Sequence, residues 1–272
     1  MLPAAWIEHH RIEVVPLMLS WDGEALRNGD LPYAEFERRI AEDNSTPTTS
    51  APSPGEYESA YRRLGDADIV VLTPPAELSV TFSNATLAAQ AVDADRIRVL
   101  DSRSAAAGQG LIARAAAEAA DADGDLDAVT QRVHFVAARV QLWATLERLD
   151  YLKRSGRVPA VAAYATGALD LHPVFRFVDG SPSAVGAARG ARRAADRVFK
   201  AWRSSAHSAD ERAHVLAFHG SRADEAVALR DRALEAGADA EFVEITAAMA
   251  AHLGPGVLGL AWWWETDPPP IG

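Results

Sequence analysis

The sequence predicts a doubly wound α/β fold, and three observations carry that expectation. Residues 68–72 (Asp-Ile-Val-Val-Leu) and 97–100 (Ile-Arg-Val-Leu) are short apolar runs of the kind that parallel strands buried on both faces show. Each leads through a turn into a helix: Thr73-Pro74-Pro75 precedes a helix from about Ser79 to Gln90, and Asp101-Ser102 precedes an alanine-rich helix over 104–120. Strand and helix thus alternate through short connections, the pattern of a sheet covered on both faces. In such sheets ligands sit beyond the carboxyl ends of the strands, which puts Ser79 at a ligand-binding edge.

The remaining elements follow in order. Residues 12–19 (Ile-Glu-Val-Val-Pro-Leu-Met-Leu) form a strand candidate with Pro16 marking an edge or bulge, and 32–40 a short helix. Ser53, Pro54 and Glu56 read as N-cap, first helical position and capping-box acid of a helix running to Leu64. Leu126, Val129, Val133 and Val136 recur at helical spacing, and 139–146 is a strand that opens a second unit. Gly156 stops a short helix, and an alanine-rich helix to about Ala168 follows. Residues 171–178 and the segment through Val185 flank Asp179-Gly180, a hairpin signal. A helix carrying Val198 and Trp202, a strand at 214–218, a helix at 221–235 and a strand at 240–245 complete the unit. His252 precedes a Gly-Pro-Gly turn and a tryptophan cluster, and the tail at 267–270 reads as a frayed end.

Composition bounds the function. The chain has 272 residues, 49% of them hydrophobic, enough for one large or two modest domains; the second unit opening at 139 divides it into 1–138 and 139–272. A net charge of -11 argues against a dedicated nucleic-acid surface, which needs clustered cations. The absence of cysteine excludes disulfides, thiolate metal sites and cysteine nucleophiles. No apolar run approaches the roughly 20 residues of a membrane span, and the start lacks a basic leader, so a cytoplasmic protein without membrane insertion is expected.

Several stretches invite chemistry. The hydroxyl-rich run 47–54, including Thr49 and Ser50, enters a helix whose free N–H groups suit an anion; it reads equally as a capped helix start. Arg157, after Gly156, is either a dipole partner for its helix or a donor aimed at an anion. The Arg189–Arg197 run is a solvated helix face or a docking surface. His252 is a histidine on a rigid turn or a plain loop residue. His9-His10, His214 and His219 have no paired acidic ligands in the sequence, and no metal site is assigned. Residues 121–125 fail as a calcium loop because Leu126 and Arg132 stand where Gly and Glu are required. Gly108-Gln109-Gly110 lies too far past Leu100 for a dinucleotide turn. The nucleophile elbow and the zinc-protease motif are both absent.

Taken together, Ile12-Glu13-Val14-Val15-Pro16-Leu17, Thr49-Ser50-Ala51-Pro52-Ser53, Leu78-Ser79-Val80-Thr81-Phe82-Ser83-Asn84-Ala85, Val99-Leu100-Asp101-Ser102, Leu149–Arg157, Pro173 with Asp179-Gly180, and His252-Leu253-Gly254-Pro255-Gly256 resemble the DegV family. The resemblance covers nearly the whole chain. It implies two α/β domains, an N-terminal doubly wound sheet lacking the family's first strand and a C-terminal mixed sheet with helices. It further implies a fatty-acid-binding protein that is not itself an enzyme, needs no cofactor or metal, and presents an acyl carboxylate to a separate fatty acid kinase. Thr49, Ser50, Ser79, Arg157 and His252 match the family's carboxylate-binding network, and Arg189, Arg192 and Arg193 are candidates for docking the kinase. Val80 and Ser155 stand where the family carries glycine. Two other readings stay open: a doubly wound enzyme acting on a small carboxylate or phosphate with His252 as acid/base, and a scaffold that has lost lipid binding.

Overall fold

A computed structural model of the chain describes residues 1–42, 47–156, 170–206 and 211–265. The first half contains α1 (Ala4–His9), β1 (Met18–Trp21), β2 (Glu24–Arg27), α2 (Tyr33–Glu42), β3 (Thr48–Ser50), α3 (Pro54–Arg63), β4 (Ile69–Thr73), α4 (Thr81–Val92), β5 (Ile97–Asp101), α5 (Ala106–Asp121) and α6 (Leu126–Ala137). The second half contains β6 (Gln141–Thr145), α7 (Asp150–Ser155), β7 (Leu171–Val178), β8 (Ser181–Arg189), α8 (Ala191–Arg203), β9 (Arg212–His219), α9 (Ala223–Glu235), β10 (Asp239–Glu244), α10 (Ala247–Leu253) and β11 (Leu258–Glu265).

Among the described residues three sheets result: β2-β1-β3, antiparallel; β4-β5, parallel; and the mixed six-stranded β10-β9-β11-β6-β7-β8. The expected N-terminal doubly wound sheet is therefore reduced to one parallel pair. Helices still cover both of its faces: Tyr57, Tyr61, Ala85 and Ala88 bury one side of Ile69 and Ile97, while Val70, Leu72 and Leu100 pack toward the main core on the other. Along the unpaired edge of β4 runs a groove of about 490 Å³, bordered by Glu13, Val15, Tyr61, Val71 and Ala113. The strand predicted over 12–19 does not form as one element. Residues 12–15 line this groove, and pairing begins only at Met18, beyond Pro16, which cannot donate to a ladder.

The capping box is present, with Ser53 Oγ accepting from Glu56 N–H at 3.3 Å and Glu56 Oε2 accepting from Ser53 N–H at 2.8 Å. Ser53→Ala should lower stability by about 1 kcal/mol in urea titration, and an unchanged midpoint would refute the cap's contribution. Asp179 and Gly180 both take positive φ (48° and 82°), as a two-residue turn matched to strand twist requires, and join β7 to β8.

The closing segment differs from expectation in two ways. His252 sits on a short helix, not in a loop, and the tryptophan run is strand β11, flanked by β9 and β6. Its periodicity is hidden because both faces are buried. Trp262 and Trp264 enter a cluster with Trp202 and Val198 of α8, whereas Ala261 and Trp263 join the larger core that also holds Phe36, Val133 and Leu142. The indole N–H groups of Trp262 and Trp264 both donate to Ser205 Oγ, at 2.8 and 2.9 Å. Ser205→Ala strands two buried donors and should cost about 2 kcal/mol or more; a loss below about 0.5 kcal/mol would contradict the shared-acceptor reading.

Where the six-stranded sheet meets α5 and α6, His214 lies between two carboxylates, 3.2 Å from Asp239 and 3.2 Å from Glu265. Arg114 bonds Asp239 at 2.9 Å and Arg132 bonds Glu265 at 3.2 Å, while the imidazole stacks on Trp263 at 4.4 Å. The sequence shows none of this pairing, because the partners come from four separate elements. Burial pushes the Glu265 carboxyl up, but the His214 and Arg132 bonds outweigh it and hold it below the ordinary 4.5. A depressed acid contributes stability that is present above its unfolded value and lost as pH falls below it. Glu265→Gln should therefore flatten the decline of stability below pH 4.5, and an unaltered acid profile would contradict the linkage.

Candidate ligand-binding site

The parallel pair sets the position of the site. Beyond the carboxyl ends of β4 and β5, Pro74, Pro75, Leu78, Ser79, Ala105 and Ala106 form one side of a cavity of about 170 Å³. The inner face of the six-stranded sheet forms the opposite side. Leu142 of β6 stands directly opposite Phe177 of β7, with Phe175 beside it and Phe218 further across the sheet. Met249 and Leu253 of α10 and Leu152 of α7 close the apolar part.

The polar end comes from three other places. β3 pairs with β1 through Leu19 opposite Thr49, which turns Leu19 into the core and leaves Thr49 half-buried on the cavity wall. Ser50 follows it on the rim. Ser79 ends a turn in which its N–H donates to Pro75 O at 3.1 Å. Its hydroxyl lies 2.6 Å from Thr81 Oγ1 and accepts from Thr81 N–H at 3.2 Å, so Ser79 helps fasten the start of α4. That start, expected near Ser79, is found at Thr81. Asn84 Nδ2 donates to Pro52 O at 2.8 Å and ties α4 to the segment leading from Thr49 into α3.

His252 completes the polar end, with Nε2 2.7 Å from Thr49 Oγ1. The turn after it is pinned from several sides. Pro255 O accepts from Tyr33 Oη at 3.2 Å, Ser221 N–H at 2.8 Å and Ser221 Oγ at 3.1 Å. Gly254 takes φ 79°, a left-handed value that ends α10 and lets the Tyr151 ring lie against its backbone. The His-Leu-Gly-Pro-Gly stretch thus sets the histidine rigidly.

Thr49, Ser50, Ser79 and His252 therefore meet at one cavity although they are far apart in sequence. Arg157 lies outside the described residues. Arg189, Arg192 and Arg193 are exposed at the end of β8 and the first turn of α8, away from the cavity wall. Val80 is 63% exposed with an ordinary φ of -74°, so its Cβ points to solvent and leaves the cavity clear. Ser155 lines the cavity, with its hydroxyl donating to Leu152 O at 2.7 Å. Sequence reading missed the apolar wall of Leu142, Phe175, Phe177 and Phe218. The alternation of Phe175 and Phe177 along β7 was the available signal. It also missed Asn84 as the tie between the two hydroxyl-bearing segments.

Among the described residues, His252 is the one ionisable side chain on the cavity wall. Hydroxyl donors and an imidazole at one end, with aromatic and aliphatic carbon at the other, suit an amphiphile with an anionic head. A buried carboxylate needs several hydrogen bonds or a cation to offset its desolvation.

A DegV domain-containing protein of Streptomyces coelicolor is 33% identical over 264 residues, covering 95% of this chain and 93% of that protein. A DegV family protein of Thermus thermophilus, described as binding fatty acid, superposes with a TM-score of 0.89 at 29% identity, covering 97% of this chain and 96% of its own. A stearic acid-binding protein of Eubacterium ventriosum superposes with a TM-score of 0.86 at 25% identity, over 97% of this chain and 94% of its own. The model of the family described as uncharacterised DegV proteins matches residues 1–265, and the chain belongs to the DegV family.

Proposed function

We propose that the protein binds one long-chain fatty acid and presents its carboxylate to a separate fatty acid kinase. The observation that carries the reading is the Thr49–His252 pair, 2.7 Å apart, at the polar end of a mostly apolar cavity. In this reading the carboxylate accepts hydrogen bonds from Thr49, Ser50 and Ser79 beside His252, with Arg157 as a further donor. The acyl chain lies along Leu142, Phe175, Phe177 and Phe218. Each methylene taken from water contributes about 0.8 kcal/mol, so a long chain supplies roughly 10 kcal/mol before the costs of association. Binding of that strength requires no chemistry by this chain.

Kinase docking is assigned to the exposed arginines Arg189, Arg192 and Arg193, a cationic patch on a protein of net charge -11. Such a patch would steer an acidic partner surface and lose effect as salt rises.

The test begins with delipidated protein titrated with a fluorescent fatty acid. One saturable equivalent is expected, displaced by unlabelled fatty acid but not by acetate. Ser79→Ala should weaken retention by about tenfold, in line with a hydrogen bond to a charged group. No saturation, or equal displacement by acetate, would overturn the reading and favour an enzyme for small carboxylates.

A further inference from the structure

We propose that His9, His10 and Asp121 form a site for a divalent transition metal of the zinc or nickel class, fastening α1 to the end of α5. One ligand atom from each of the three side chains lies within 4.8 Å of the others. Donors around a tetrahedral zinc at about 2.0–2.1 Å stand about 3.4 Å apart, so modest side-chain rotation closes the set. His10 Nδ1 already lies 2.6 Å from Asp121 Oδ2, and the His9 ring meets the His10 ring edge-on with centroids 4.7 Å apart.

The backbone that carries these ligands is fixed before any metal arrives. Trp6 of α1 is buried and lies under the Arg114 guanidinium of α5, 4.6 Å from its ring centroid. Arg11 takes a left-handed φ of 51°, and Ile12 N–H donates back to Ile7 O at 3.0 Å, so the chain turns sharply after His10. His9 and Asp121 are the last residues of their helices, where the helix field favours a cation.

The ligand set decides which cation. Two imidazoles and one carboxylate match zinc, nickel or copper, whereas calcium and magnesium require more oxygen donors. A bound metal would link residues 111 positions apart and hold the N-terminal helix against α5.

The experiment uses the full chain without a histidine tag, titrated with Zn²⁺, Ni²⁺ and Co²⁺ by calorimetry and visible absorption. One saturable equivalent is expected, with cobalt absorption showing nitrogen ligation and a thermal midpoint that rises with metal concentration. His9→Ala leaves the His10–Asp121 bond in place, and Asp121→Asn keeps an acceptor for His10, so both variants should fold. Each should lower metal affinity at least tenfold, while His134→Ala, on exposed α6 surface, should leave it unchanged. Absence of a saturable equivalent, or equal binding by the His9→Ala/Asp121→Asn double variant, would overturn the site.

Discussion

His252→Ala is expected to lower fatty-acid retention by about 10- to 100-fold while leaving the folded structure intact. Its imidazole is half-buried and hydrogen-bonded to Thr49 at the polar end of the cavity, and among the described residues no other ionisable side chain lines the wall. Hydrogen bonds to a charged group contribute about 1.5–3 kcal/mol, which converts to that range of affinity. His252→Gln, which keeps a neutral donor, should recover part of the loss. The readout is competition against a fluorescent fatty acid, with circular dichroism and urea midpoint as fold controls. Unchanged retention with an intact fold would remove His252 from the carboxylate site.

Gly220→Ala is expected to destabilise the protein by about 3 kcal/mol or more, at the upper end of overpacking costs. A Cβ at this position would stand 1.9 Å from Pro255 O, 2.4 Å from Tyr33 Oη and 2.8 Å from Pro255 C. The clash is chiefly with backbone, which is itself held by Tyr33 and Ser221 and cannot move away cheaply. Because Pro255 lies three residues after His252, the variant should also weaken lipid retention at temperatures where it remains folded. A destabilisation below about 1 kcal/mol in urea would show that the turn yields more easily than its hydrogen bonds imply.

The parts of the fold that sequence made legible are those with strong local signals. β4 and β5 are continuous apolar runs, Ser53-Pro54-Gly55-Glu56 carries its cap in four residues, and Asp179-Gly180 supplies the left-handed turn directly. β1, β2 and β3 were not legible as a sheet. They are three or four residues long with several exposed positions, and their pairing depends on the docking of Leu19 and Trp21 into the core. β11 was obscured for the opposite reason, since seven of its eight residues are buried and no polar face marks its period.

At the cavity, the hydroxyl-bearing segments were legible in the sequence and their assembly was not. The hydroxyls at Thr49, Ser50 and Ser79 stand out in the sequence as lying ahead of helices, but Thr49 and Ser50 belong to strand β3, and convergence with His252 requires β3, α4 and α10 to meet. The apolar wall depends on cross-strand register between β6 and β7, and Asp121 reaches His10 only through the docking of α1 on α5. Long-range placement of this kind leaves no trace in local spacing.

Whether the cavity holds one fatty acid is decided by native mass spectrometry of the purified full chain. A species heavier than the polypeptide by one long-chain fatty acid is expected, exchangeable with added fatty acid and depleted in the His252→Ala variant. A single apoprotein mass that persists after incubation with long-chain fatty acids, with no fatty acid in the organic extract, would contradict it.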